Sequence, residues 1–264
     1  MLLHFPKLSK IAYRVLNERI AYKQRICNRD ILEEWHKLKN SAQAKRCFIV
    51  GTGPSLRIED LEALKGEVVF APNRIYELLE HTNWQPTYYI NQDHNLIQTF
   101  GDRIKKVNAE LTFLPVDYRS DFKGEQYRFF VLKHRDFYPK DAPFSRDISR
   151  YLAQGFTVIY GAIQIAAYMG FKEIYLLGVD HNYNIFRDSN GRVVRNENKS
   201  GNYAAGMTNY INHENLPRAE ETTLAFETAE KLSKKLGIKI YNCTRGGKLE
   251  AFERKDFDQV VGGI

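Results

Sequence analysis

The chain has 264 residues, 43 % of them apolar and 27 % charged, with a formal net charge of +7. That length suits one large domain or two small ones, and with a mean hydropathy of −0.48 the composition excludes a disordered tail protein and a multi-span membrane protein. Cys27, Cys47 and Cys243 form neither a CxxC pair nor a zinc spacing, which sets aside disulfide and metal scaffolds and leaves a reducing cytoplasm as the expected compartment.

The charge is unevenly placed. Residues 1–46 carry 11 Lys/Arg against 4 Asp/Glu, and the remainder carries 28 of each, so the whole excess lies in an N-terminal arm. A nucleic-acid enzyme would spread a basic groove across its folded body, so no nucleic-acid partner is expected. Within the arm, Leu8, Ile11, Ala12, Val15 and Leu16 recur at helical spacing among Lys7, Lys10, Arg14 and Arg19, the pattern of a basic amphipathic helix. Two readings stand: residues 1–25 lie on an anionic inner-membrane face, or the helix packs on its own domain or on a partner subunit. Lys7, Lys10 and Arg14 also interrupt any apolar region, so no secretory signal is expected. The arm is assigned to residues 1–44 and a single domain to 45–264.

After the arm, strands alternate with helices. Arg46–Val50 (RCFIV) reads as a buried parallel strand that ends in glycines. Glu67–Ala71 and Thr87–Asn91 are the next strands, followed by weaker ones at Glu110–Leu114 and Arg128–Leu132. A buried helix is expected from near Val158 to Gly170, then a strong strand at Glu173–Leu177 (EIYLL). Residues 181–216 are polar and lack periodicity, so they read as a long loop or lid, which is usually functional in a compact domain. Pro217 opens a helix at its first turn, Gly237 ends it, and Ile238–Asn242 is a last strand. This alternation means an α/β parallel sheet.

Three groups of residues carry chemistry. Gly51-Thr52-Gly53-Pro54-Ser55 directly follows the first strand, where two glycines let the backbone approach a phosphate and Ser55 can cap a following helix. It is neither GxGxxG nor a P-loop. Asn73, Asn91 with Asp93, and Asp180 each stand at or just after the carboxyl end of a strand, where ligands of open parallel sheets bind. Asparagine there can pair with a base edge or a ribose, and both residue types also serve plain turns. His181 and His213 are candidates for a general base, and Tyr183, Tyr203 and Tyr210 crowd the same stretch. No HExxH occurs, and adjacent Asp180 and His181 would point to different sides of an extended chain, so no metal site is expected.

GTGPSL after a strand, APNRIY, YYINQD and above all AAYMGFKEIYLLGVDHNY, with the ending GIKIYNCTRGGKLEAFERKDF, resemble a bacterial glycosyltransferase-like family. It joins the lipooligosaccharide α-2,3-sialyltransferases to a larger group described as 6-hydroxymethylpterin diphosphokinase MptE-like. The resemblance runs from about residue 45 to about 258. It implies one Rossmann-like parallel-sheet domain, a GT-A variant of the sialyltransferase kind, with a lid at about 181–216. It implies transfer of a sialic-acid-like sugar from a CMP-activated donor to a glycan or lipid-linked glycan hydroxyl. The transfer would invert configuration and use no metal or cofactor, in bacterial surface polysaccharide or lipooligosaccharide synthesis at the inner membrane. By that resemblance Gly51, Thr52, Gly53, Asn73, Asn91, Gly178 and Asp180 hold the nucleotide, with Pro54, Ser55 and Asp93 beside them. His213 is the first choice for the base and His181 the second, Tyr183 and Tyr203 steady the leaving phosphate, and a homo-oligomer is implied. Two other readings remain open: pyrophosphate transfer from ATP to a hydroxymethylpterin, and a non-catalytic nucleotide-binding protein of a polysaccharide assembly complex.

Overall fold

Buried, β-branched and aromatic runs separated by amphipathic helices have room to hide both faces only in a parallel sheet between helical layers. A computed structural model describes residues 29–42, 44–134, 137–196, 202–208 and 216–262 of the chain. Its elements are α1 (Arg29–Leu38), β1 (Arg46–Val50), α2 (Ile58–Ala63), β2 (Val69–Pro72), β3 (Tyr88–Ile90), α3 (His94–Ile104), β4 (Leu111–Pro115) and β5 (Tyr127–Phe130). They continue as β6 (Leu132–Lys133), β7 (Leu152–Ala153), α4 (Val158–Met169), β8 (Glu173–Leu177), β9 (Ile185–Arg187), β10 (Val193–Arg195), α5 (Ala219–Lys235), β11 (Lys239–Asn242), β12 (Glu253–Arg254) and α6 (Phe257–Gly262).

Eight strands form one sheet in the order β12-β11-β8-β1-β2-β3-β4-β5, and all of its pairings are parallel. The chain builds outward from β1 to β5 on one side, then returns to lay β8, β11 and β12 on the other. The order therefore reverses between β1 and β8, and the crevice beyond their carboxyl ends is where such sheets take ligands. The register makes that crevice tight: Val50 pairs with Leu177, so both strands stop together and Gly51 and Gly178 leave side by side.

The buried helix matches its expected span. Thr157 caps α4 by accepting from the Ile159 N–H, and Gly170 closes it in the left-handed region at φ 100°. Every residue of α4 except Ala167 is buried, including Gln164, whose amide is fully used. Its Oε1 accepts from Ser145 N at 2.8 Å and Ala153 N at 3.1 Å, and its Nε2 donates to the Ala153 and Tyr160 carbonyls at 2.9 and 3.1 Å. A polar core residue so saturated costs little to bury and ties β7 and the 145 loop to the helix.

Several expectations need correcting. The part of the predicted arm within the described residues is an integral layer of the domain: Trp35 on α1 is fully buried, stacks on Phe113 at 5.5 Å and donates from Nε1 to the Phe129 carbonyl at 2.6 Å. The stretch 1–28 lies outside the described residues. The lid is not structureless, because β9 and β10 form an antiparallel hairpin around the turn Asp188–Gly191. The helix after Pro217 starts at Ala219, since the Pro217 carbonyl accepts from Arg187 N at 2.8 Å and Arg218 is extended as the N-cap. The strand expected at Arg128–Leu132 divides into β5 and the short β6, which pairs with β7 instead of the main sheet. Among the described residues no helix is long and apolar enough to cross a membrane.

Candidate active site

Beyond the carboxyl ends of β1, β2 and β8 lies a cavity lined by Gly51–Pro54, Asn73, Asp93, Thr157–Ile159, Gly178–Tyr183, Tyr203 and Phe226, among others. Strand ends, the first turn of α4, the lid residues and Phe226 of α5 supply its lining. The N-terminus of α4 brings the positive end of a 12-residue helix to that lining, which favours an anionic ligand group there.

The glycine loop acts differently from the expectation. The Gly51 N–H donates to the Leu177 carbonyl at 2.6 Å and the Gly53 N–H to the Gly178 carbonyl at 2.9 Å, so neither is open to a phosphate. The glycines are needed because two backbones cross: a Cβ on Gly53 would stand 2.1 Å from Asp180 Oδ2 and 2.7 Å from the Gly178 oxygen. Ser55 caps no helix. Its hydroxyl donates to Asp180 Oδ2 at 2.7 Å, while Asp60 serves the start of α2 by accepting from Arg57 N. Asp180 thus fastens the glycine loop to the β8 loop, and its carbonyl accepts from Lys248 N at 2.8 Å. That last bond, with Val179 N donating to Thr244 Oγ1 at 3.0 Å, explains what the C-terminal TRGGKLE segment does: it braces this crossing.

Asn91 is fully buried and lies behind the cavity, not on it. Its Oδ1 accepts from Asp93 N at 2.9 Å, its Nδ2 donates to the Tyr89 hydroxyl at 3.2 Å, and that hydroxyl donates to the Asn73 carbonyl at 2.6 Å. Asn91 therefore positions the other two. Asp93 caps α3, accepting from Asn95 N and Leu96 N at 2.9 and 3.2 Å. Asn73 sits at φ 49°, a left-handed conformation that asparagine tolerates better than most. Its buried Oδ1 meets no donor among the described residues, so it is an acceptor in want of an N–H or O–H.

His181 also sits in the left-handed region, at φ 48°. Its ring lies edge-on to Tyr183 and Phe226, each at 5.6 Å between centroids. Its Nε2 is 2.6 Å from Thr223 Oγ1 and its Nδ1 3.5 Å from the Tyr183 hydroxyl. Burial pushes this imidazole down to about 4, so it is neutral at physiological pH and has a free lone pair. Burial likewise holds the Tyr183 phenol well above its usual range. Tyr183 therefore attends the histidine.

Tyr203 lies under the Arg74 guanidinium at 5.0 Å, and burial raises its phenol, with Arg74 opposing. Arg74 is itself buried and pairs with buried Glu77 at 2.5 Å. Thr208 bridges both: its carbonyl accepts from Arg74 and its N–H donates to Glu77 Oε2 at 2.9 Å. Ala204 N adds a bond to the Thr52 carbonyl at 2.9 Å. This buried ion pair latches the 202–208 segment over the glycine loop. His213 and Tyr210 lie outside the described residues. Among those residues no group of three or more His, Cys, Asp or Glu side chains is gathered as a metal site.

The profile of the 6-hydroxymethylpterin diphosphokinase MptE-like family matches residues 25–185. The chain belongs to this family. The match begins inside the expected arm and so includes α1, in keeping with the burial of Trp35. No curated protein matches the chain. Among solved structures, the MAf glycosyltransferase from Magnetospirillum magneticum AMB-1 is similar, with a TM-score of 0.51 and 18 % identity over 81 % of this chain and 34 % of that one. The chain thus spans only a minor part of that protein's length. The sialyltransferase CstII from Campylobacter jejuni in complex with CMP-3FNeuAc gives a TM-score of 0.45 and 14 % identity, over 80 % of this chain and 86 % of CstII. The fold of this MptE-like chain is Rossmann-like α/β, similar to that of the MAf glycosyltransferase.

Sequence reasoning missed three residues. Thr157 was hidden in an apolar run, although Thr before such a run is a cap signal. Arg74 was hidden because nothing marks it as buried. Thr223 is one of three threonines on a helix, and no local pattern says which meets His181.

Proposed function

We propose that this MptE-like protein is a glycosyltransferase that takes a sugar acid from a CMP-linked donor and passes it to an acceptor hydroxyl with inversion. The observation that carries the reading is the meeting, in one cavity at the switch point, of a neutral buried imidazole with the electropositive end of α4. The chain's similarity to the MAf glycosyltransferase supports a sugar-nucleotide substrate class. Asn73 Oδ1 accepts from the nucleoside, and the first turn of α4 receives an anionic group of the donor. The acceptor oxygen attacks the anomeric carbon while its proton passes to His181. The bond to the CMP phosphate breaks on the opposite face, and CMP leaves with the bonding pair. The two carboxylates on the cavity, Asp93 and Asp180, already accept hydrogen bonds from a helix end and from Ser55, which favours a donor leaving as a monophosphate over one needing a metal-bound triphosphate.

The family description favours a second reading, pyrophosphate transfer from ATP to a hydroxymethylpterin. A thermal-shift panel of CMP, CDP, UDP, GDP and ATP, each with and without magnesium, separates the two. A ligand at 100 times its dissociation constant stabilises by about 2.7 kcal/mol. Stabilisation by CMP without magnesium is the expected result, and stabilisation by ATP only with magnesium overturns it in favour of the pterin reaction.

A further inference from the structure

We infer that Thr223 of α5 is a positioning residue for His181, holding the imidazole as its Nε2–H tautomer so that the bare Nδ1 is the nitrogen turned toward Tyr183. The inference deepens the reading above and rests on it for the role of the base, though not for the tautomer itself.

A threonine hydroxyl has one proton to give and two lone pairs to offer. Thr223 Oγ1 lies 2.9 Å from the Ala219 carbonyl, one helical turn back, the ordinary back-bond of a helical threonine. A carbonyl can only accept, so that contact uses the hydroxyl's single proton. The same oxygen is 2.6 Å from His181 Nε2 and can now only accept there, so Nε2 must carry the imidazole proton. A neutral imidazole has no second one, which leaves Nδ1 as a lone pair beside the Tyr183 hydroxyl at 3.5 Å.

The opposite assignment sends the Thr223 proton to Nε2. It gives up the bond to Ala219 and makes Nδ1–H point at a phenol oxygen at the limit of hydrogen-bond reach. The surroundings fix the ring as well as its proton. Tyr183 and Phe226 hold it edge-on, and the backbone at φ 48° leaves His181 facing α5, while Asp180 beside it turns to Ser55. By accepting from Nε2–H the threonine decides which His181 nitrogen keeps the lone pair that can take a proton.

The experiment is a long-range proton–nitrogen correlation spectrum of the protein carrying ring-15N histidine, with the His181 signals identified by their loss in His181→Asn. The wild-type ring should show a protonated Nε2 and an unprotonated Nδ1. Thr223→Val, equal in shape but without the hydroxyl, should move both nitrogens toward the average of the two tautomers, and Thr223→Ser should restore the wild-type pattern. A wild-type spectrum with the proton on Nδ1, or a Thr223→Val spectrum identical to wild type, overturns the inference. Where the valine variant does not fold, Thr223→Ala makes the same hydroxyl-free comparison, and a wild-type proton on Nδ1 overturns the inference by itself. The spectrum reads the tautomer whether or not any sugar is transferred, so an error about Thr223 and an error about the reaction give different results.

Discussion

Burial of His181 should make the protein acid-labile in a window set by one side chain. The imidazole is pushed from its ordinary value of 6.5 down to about 4 by desolvation, so between those two values the unfolded chain binds a proton that the native state refuses. Stability therefore rises with pH across the window. The contribution is complete above about pH 6.5 and is lost progressively as pH falls toward 4. At roughly 1.4 kcal/mol per pH unit that interval amounts to about 3 kcal/mol, a large share of the 5–15 kcal/mol that holds a typical domain. Carboxylates titrate nearby, so the wild-type curve alone cannot isolate the histidine, and the comparison needed is with His181→Asn. Asparagine accepts the left-handed backbone at this position and does not titrate. Urea denaturation of both proteins at intervals from pH 4 to pH 8 gives the difference directly. The wild type should lose about 3 kcal/mol more than the variant between pH 6.5 and pH 4. Parallel curves, offset by a constant, would refute the claim that the imidazole is buried neutral, and with it the proposed base.

Three further outcomes follow from the packing. Gly53→Ala forces a Cβ onto Asp180 and the Gly178 carbonyl and should cost about 1–3 kcal/mol in chemical denaturation, with nucleotide-induced stabilisation reduced in parallel; a neutral effect would show that the two loops do not cross as described. Gln164→Leu leaves the N–H groups of Ser145 and Ala153 without an acceptor inside the core, at about 1–3 kcal/mol for each group so stranded, readable as a lower urea midpoint. Arg74→Met leaves Glu77 buried without its nearest cation. It should cost about 3–5 kcal/mol and speed hydrogen exchange at the Ala204 amide, which an unlatched 202–208 segment would expose.

The fold was legible because its signals are local. RCFIV and EIYLL are buried parallel strands by composition alone, and both stand at the residues expected. Thr157 and Gly170 bracket an apolar run whose chemistry starts and stops a helix. The hairpin of the lid is not evident although Asp188-Ser189-Asn190-Gly191 is a turn signal, because its strands are three residues each and lie outside the main sheet. The arm ends earlier than its charge suggests, because Trp35 is held by Phe113 and Phe129, 78 and 94 residues away. That contact has no trace in the neighbourhood of either partner.

The candidate site divides along the same line. The sequence by itself determined that Gly51–Ser55, Asn73, Asn91, Asp93, Asp180 and His181 would gather at one sheet edge, since each follows a strand and parallel strands end on the same side. It did not determine what each residue does there. Whether a glycine admits a phosphate or another backbone, whether an asparagine faces the cavity or holds up the one that does, and which nitrogen of a histidine bears the proton all depend on a partner far along the chain. For the glycine loop that partner is the β8 loop, for Asn91 it is Asn73, reached through the Tyr89 hydroxyl, and for His181 it is Thr223. A hydrogen bond is decided within a few tenths of an ångström, and only the packing of α5 and the C-terminal segment onto the sheet sets distances that fine.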